Sequence, residues 1–377
     1  YEDAEATYHR ALAVANKQLG PGHPDLALTL ANLGALRDVM GAPREAADLL
    51  NRALAISEEA LGLEHPRVAK ILLGLSALHW STRAYDEGRA AASRALDIQR
   101  RAKVGPHEIA TSLGSLALME LSTGEYAEAK VLLTRAVELR QSVFGPEHPQ
   151  LATTLSNLAT AHDRLGEVDE SRARLEQAFA IVQKVRGPEH PQRAQILNNL
   201  GAVHHSLGEF RASLDYFGRA LAIWEKTLGP EHPKISRTLS NLGAVHVALG
   251  EYGEARVLYE RALVLREKAL GPNDPRLAYT LTGLGATFDA LGQPQAALEH
   301  FERAAVLRAQ PDVEPVFLAR TRLAWAKVLW DAPPGQGRDR GQARELVGQA
   351  RDAFLGNGKA SLEELEQAQL WLQSHPR

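Results

Sequence analysis

The side chains best suited to chemistry in this chain of 377 residues are those that recur. Asparagine stands at Asn32, Asn157, Asn199 and Asn241, the last three 42 residues apart. An amide offers two donors and an acceptor, so a row of amides suits the backbone of an extended chain whatever its sequence. The same amides could instead bond between neighbouring helices, because a buried unpaired amide is costly. On the face around them stand Arg164, Gln195, Asn198, Arg237 and Tyr279. A lining of arginine and amides suits a peptide with a carboxylate or acidic side chains, and Arg237 is placed for a charge-assisted bond. A merely solvated face would carry the same residues.

Histidine also recurs, at His162, His204 and His246. The interval invites a metal site or a pH switch, but equivalent positions on stacked helices lie about 8–10 Å apart, whereas zinc draws its donors to within about 2.1 Å of one centre. Packing is therefore the expected role. The histidines before proline, His23, His65, His148, His190 and His232, occupy a position biased to extended backbone and are read as flanking helix starts. The sequence has no Gly-x-Ser-x-Gly elbow, no His-Glu-x-x-His and no Gly-rich loop with His-Arg-Asp or Asp-Phe-Gly. No catalytic residue, metal or cofactor is expected.

Composition narrows the partners. A net charge of −3 and a pI near 6.6 leave no basic footprint for nucleic acid. The absence of cysteine rules out disulfides and thiolate metal sites and fits a reducing compartment. No stretch approaches the roughly 18 apolar residues of a membrane span, and no signal-peptide pattern opens the chain. With 45% hydrophobic and 24% charged residues the chain can bury a large core.

The elements that position these residues are legible from repetition. Gly-Pro-x-His-Pro stands at Gly20 to Pro24, Gly145 to Pro149, Gly187 to Pro191 and Gly229 to Pro233, with variants at Gly62 to Pro66 and Gly271 to Pro275 and a shortened copy at Gly105-Pro106-His107. Asn-Leu-Gly, Gly-Glu-aromatic and Arg-Ala-Leu recur in phase between these marks, as at Asn241-Leu242-Gly243, Gly250-Glu251-Tyr252 and Arg261-Ala262-Leu263. Within one copy, Ile235, Leu239, Leu242, Val245 and Leu249 form a helical stripe. Tyr252, Ala255, Tyr259, Ala262 and Leu265 form a second. Pro233 suits a first turn and Gly250 a left-handed stop. Each repeat is thus predicted to be a helical hairpin. A period near 42 would also fit HEAT or armadillo units, but Gly34, Gly201, Gly243 and Gly285 on the first helix, facing a recurrent alanine on the second, mark a close helix–helix approach.

This pattern resembles the tetratricopeptide repeat family from residue 1 to about 309, and the 42-residue form with His-Pro linkers is similar to the repeats of kinesin light chains and their bacterial relatives. The roughly eight residues beyond the usual 34 amount to about one extra turn per helix. The resemblance implies an all-α fold, an α-solenoid of helix-turn-helix repeats stacked into a right-handed superhelix whose first helices line the concave surface. It implies that Asn32, Asn157, Asn199 and Asn241 hold a peptide backbone there, with Asn198, Gln195, Arg164, Arg237 and Tyr279 as neighbouring peptide-binding groups.

Residues 1–19 are read as the second helix of a truncated repeat, with Tyr1 at its aromatic position. Residues 20–309 are read as seven repeats, and 310–377 as a divergent eighth repeat with a capping helix over Ser361 to Pro376. The function read is a protein–protein interaction scaffold in the bacterial cytoplasm, with a protein or peptide partner in the groove and neither nucleic acid nor membrane. The alternative is the non-catalytic substrate-recruiting or regulatory region of a larger signalling enzyme. The stretch from Arg344-Glu345-Leu346 to Trp371-Leu372 resembles the end of repeat arrays that follow the catalytic domain in some bacterial serine/threonine kinases. Self-association through an exposed terminal repeat is a third possibility.

Overall fold

The structure is a computed structural model that describes residues 2–311, 313–357 and 361–376. Tyr1 lies outside them. Residues 1–186 form one compact unit and residues 187–377 a second. The first holds α1 (Glu2–Leu19), α2 (Pro24–Val39), α3 (Pro43–Leu61), α4 (Pro66–Ser81), α5 (Tyr85–Arg101), α6 (Pro106–Thr123), α7 (Tyr126–Phe144), α8 (Pro149–Arg164) and α9 (Val168–Val185). The second holds α10 (Pro191–Ser206), α11 (Phe210–Leu228), α12 (Ile235–Ala248), α13 (Tyr252–Leu270), α14 (Ala278–Ala290), α15 (Pro294–Arg308), α16 (Pro315–Asp331), α17 (Arg340–Gly356) and α18 (Leu362–Ser374). Among the described residues there is no β-strand, so the fold is all-α, built of stacked hairpins.

The His-Pro linker makes a helix start by two means. The histidine lies in extended backbone and its Nδ1 accepts the N–H two residues on, as His65 does from Arg67 at 3.1 Å and His190 from Gln192 at 3.2 Å. This satisfies one of the first-turn donors a helix leaves open, while the following proline needs no partner for an N–H it lacks. Asp274 does the same for Arg276 in the variant copy. One expectation needs adjustment: Pro233 precedes α12 rather than opening it. There Ile235 N–H donates to His232 and Ser236 N–H to Pro233, a tightened turn of the 3₁₀ kind, and a short 3₁₀ helix over Pro275–Leu277 likewise leads into α14.

In the hairpins that carry Gly34, Gly201, Gly243 and Gly285, the glycine of the first helix admits a large side chain of the second. A Cβ at Gly34 would stand 2.9 Å from Leu50 Cγ, at Gly201 2.7 Å from Phe217 Cδ1, and at Gly285 2.8 Å from Phe301 Cε2. The alanine of Arg-Ala-Leu is fully buried at Ala53, Ala95, Ala220 and Ala262. Its arginine ties the second helix to the second helix before it: Arg261 Nη2 reaches Glu225 Oε1 at 2.7 Å and the Pro230 carbonyl at 2.9 Å, and Arg303 repeats both contacts with Glu267 and Pro272.

The core is a series of small clusters, several of them shared by a second helix and the first helix that follows. Phe217 of α11 packs with Leu242 and Val245 of α12, and Ala255 and Tyr259 of α13 pack with Leu284 of α14. The last cluster joins Leu323 and Leu329 of α16, Val347 and Phe354 of α17 and Leu365 of α18. Residues 332–339 loop between α16 and α17 where Pro333-Pro334-Gly335 breaks the helical pattern.

Candidate functional site

In the second unit, a register repeated in the first helices sorts side chains into buried joints and open faces. Thr238 of α12 donates to Asn198 Oδ1 of α10 at 3.0 Å, and Ser240 of α12 shares a hydrogen bond with Thr280 of α14 at 3.1 Å. All four residues are buried. Asn198, expected among the peptide-binding groups, therefore serves the joint between α10 and α12 and presents no amide to a ligand. The physical reason is its register, one residue before the amide row and turned toward the next helix.

The amide row stands one position further on. Asn199 is half-buried and accepts a hydrogen bond from Gln195 Nε2 at 3.1 Å, so these two expected residues form a local pair on α10. Asn241 of α12 is half-buried and opens on a recess of about 730 Å³. Arg237 and Tyr279, both exposed, line the same recess, with Lys234, Ser236, Arg266 and Arg276. Three of the expected residues, Arg237, Asn241 and Tyr279, are thus brought together. In the first unit Asn32 and Arg164 are exposed and Asn157 is half-buried. The aligned position on α14 is Gly283, where a Cβ would fall 2.4 Å from Tyr259 Cζ. The tyrosine of α13 fills the space an asparagine would need, and so interrupts the row.

The recess is electropositive. Arg237 has no hydrogen-bond or ion-pair partner among the described residues, yet the surrounding protein desolvates its guanidinium and pulls its pKa below the usual value. Burial lowers Arg266 as well; Tyr279 opposes this, and the neighbouring charges of Arg237 and Arg276 add to it. Arg266 is held in place by its Nη1 bond to the Arg276 carbonyl at 2.9 Å, and Nε approaches Ser236 Oγ at 3.3 Å. Arg276 is gripped by Asp274 through two bonds of 2.8 and 2.7 Å. Tyr279 keeps part of its surface in solvent, but the protein packed around it desolvates the phenol and raises its pKa above the usual value. Lys234 rests with Nζ 4.6 Å from the Trp224 ring centre.

Lys234, Arg266 and Arg276 escape a reading confined to the first helix, but Arg266 carries a signal in the sequence. It stands 42 residues from Arg308 and 126 from Arg140. Both of these reach across to the next first helix, Arg140 bonding Thr154 and the Gln150 carbonyl and Arg308 bonding Thr321 and the Phe317 carbonyl.

The recurring histidines have a different place. His162, His204 and His246 each share a hydrogen bond through Nδ1 with the Gly-Glu glutamate of the following turn, Glu167, Glu209 and Glu251, His246 with Glu251 Oε2 at 2.6 Å. Each pair clasps the turn between the helices of one hairpin. Among the described residues no group of three or more histidine, aspartate or glutamate side chains could hold a metal ion, and no helix is long and apolar enough to cross a membrane.

The tetratricopeptide repeat profile matches residues 1–59, 108–184, 164–226, 192–263 and 235–308, together more than half of the chain. No curated protein sequence matches it. Among solved structures, BtubC (BKLC) from P. vanneervenii is 27% identical over 60% of this chain and 91% of its own, with a TM-score of 0.51. A putative kinesin light chain of Podosopora anserina with nearly identical TPR-like repeats is 28% identical over 54% of this chain and 96% of its own, with a TM-score of 0.46. A Rap protein complexed with Competence and Sporulation Factor shares the fold at 15% identity, covering 94% of this chain and 100% of its own with a TM-score of 0.62. The chain belongs to the tetratricopeptide repeat family.

Proposed function

We propose that this chain is a non-catalytic interaction scaffold that holds an extended segment of a partner protein against its first helices, with the recess between α12 and α14 as the anchor of the second unit. The observation that carries this reading is the convergence of Arg237, Asn241 and Tyr279 on one recess of about 730 Å³, within the size range of about 300–1,000 Å³ typical of ligand pockets. An amide and a phenol there can serve a peptide backbone, and an arginine without a partner can fix a charged side chain. Asn199 and Gln195 on α10, and Asn32, Asn157 and Arg164 in the first unit, are proposed as further contacts for the same kind of segment. The Rap protein, which shares the fold, was solved in complex with Competence and Sporulation Factor.

Selection of a random 12-residue peptide library on the full chain tests the proposal. Enriched peptides are expected to lose at least tenfold in affinity on Asn241→Ala with Tyr279→Ala, with helicity by circular dichroism unchanged. Peptides that bind both proteins equally would remove this face from the mechanism.

A further inference from the structure

We infer that the recess between α12 and α14 recognises a doubly charged phosphate ester, a phosphorylated serine or threonine side chain on the partner segment. This rests on the binding reading above and narrows its ligand.

In several repeats a cation on the surface of a second helix is paired with a carboxylate of the preceding repeat or linker. Arg261 meets Glu225, Arg303 meets Glu267, Lys268 meets Glu231 and Arg94 meets Glu58, at 2.6 to 2.9 Å. The recess is arranged differently. Four cationic side chains, Lys234, Arg237, Arg266 and Arg276, line it with no acidic side chain in the lining. The carboxylate of Asp274 grips Arg276 from outside that lining. Arg266 is pinned by its bond to the Arg276 carbonyl, so its charge cannot swing away into water. Arg237 is left with all five donors open among the described residues.

One carboxylate would neutralise a single guanidinium and leave the rest of this excess. A phosphomonoester brings about −1.5 to −2 charge near pH 7 and three strong acceptor oxygens. Guanidinium forks match those oxygens, and the Asn241 amide and the Tyr279 hydroxyl add neutral donors. The apolar rim from Ala269 and Leu270 can cover the carbon stem of the modified residue.

The test is fluorescence anisotropy with three labelled nine-residue peptide pools, degenerate except at the centre, which holds phosphoserine, serine or Glu-Glu. The phosphoserine pool is expected to bind the full chain at least tenfold tighter than either other pool. Millimolar inorganic phosphate should compete, and Arg237→Gln should erase the preference, with Lys234→Gln weakening it in part. Because Arg237 has no structural partner among the described residues, its replacement is expected to leave the unfolding midpoint unchanged. Equal binding of the Glu-Glu pool, or a preference that survives Arg237→Gln, overturns the phosphate inference. So does the absence of binding by any pool. The peptide-holding reading stands or falls separately, on the library selection with the Asn241 and Tyr279 variants.

Discussion

Asn198 and Thr238, forty residues apart in sequence, meet in a buried hydrogen bond of 3.0 Å that joins α10 to α12. Removing one partner leaves the other buried and unsatisfied, which costs about 1–3 kcal/mol. Thr238→Val should therefore lower the urea midpoint, and combining it with Asn198→Leu should recover part of the loss. Strict additivity of the two substitutions would show that the bond contributes nothing to the joint.

Two glycine-to-alanine substitutions in neighbouring helices should have opposite signs. At Gly201 of α10 the new Cβ would stand 2.7 Å from the Phe217 ring, and such overpacking costs about 1–3 kcal/mol. At Gly218 of α11 nothing lies within 4 Å, so alanine should stabilise by about 0.5–1 kcal/mol through helix propensity alone. Thermal unfolding of the two variants side by side measures the difference.

Glu120 of α6, in the register that histidine holds in later repeats, is almost fully buried and is met by Arg89 through Nε–Oε1 and Nη2–Oε2 bonds of 2.7 and 2.8 Å. Arg89→Ala strands a buried carboxylate and should destabilise the first unit by about 3–5 kcal/mol. Arg101→Ala, which breaks an ion pair with Glu64 exposed on both sides, should cost no more than about 1 kcal/mol. Chemical denaturation with a probe in the first unit separates the two outcomes.

Desolvation lowers the pKa of both His205 and His300 below the ordinary histidine value of 6.5. In the window between the lowered folded value and 6.5 the unfolded chain binds more protons, so stability falls as pH drops through it. Acidification from pH 7 to pH 5 should lower the melting temperature of the second unit. His300→Asn, which removes the ring stacked on Phe288, should flatten that pH dependence while lowering stability at pH 7. A slope unchanged by His205→Asn combined with His300→Asn would assign the acid sensitivity to other groups.

Lys103 takes φ of +50° at a turn where other repeats place glycine. A side chain in that left-handed region costs about 1–2 kcal/mol, so Lys103→Gly should raise the unfolding midpoint of the first unit. A lower midpoint would mean that the lysine side chain outweighs the backbone strain.

Much of the fold was legible because the same physical solution is written many times. Gly250 ends α12, His65 caps α4 and Ala262 seats α13, and each instance supports the others. The site was legible in part. Arg237, Asn241 and Tyr279 share a recess because register on a first helix can be counted from the sequence. Asn198 lies in a joint rather than on the open face because one residue of register separates the two, and only the position of Thr238 decides which side is closed. Lys234 precedes α12, Arg276 lies in the short 3₁₀ helix before α14 and Arg266 in a second helix, so no single helical stripe groups them. Gly283 looks like a simple gap in the amide row until Tyr259 is seen to occupy its space.

Within each unit, the substantial helix contacts are between elements adjacent or next but one along the chain. A genetic duplication of one 42-residue segment would therefore meet ready-made neighbours on both sides and demand no redesign of the rest. Lineages could lengthen or shorten such a protein one hairpin at a time, leaving the packing of the remaining hairpins as it was.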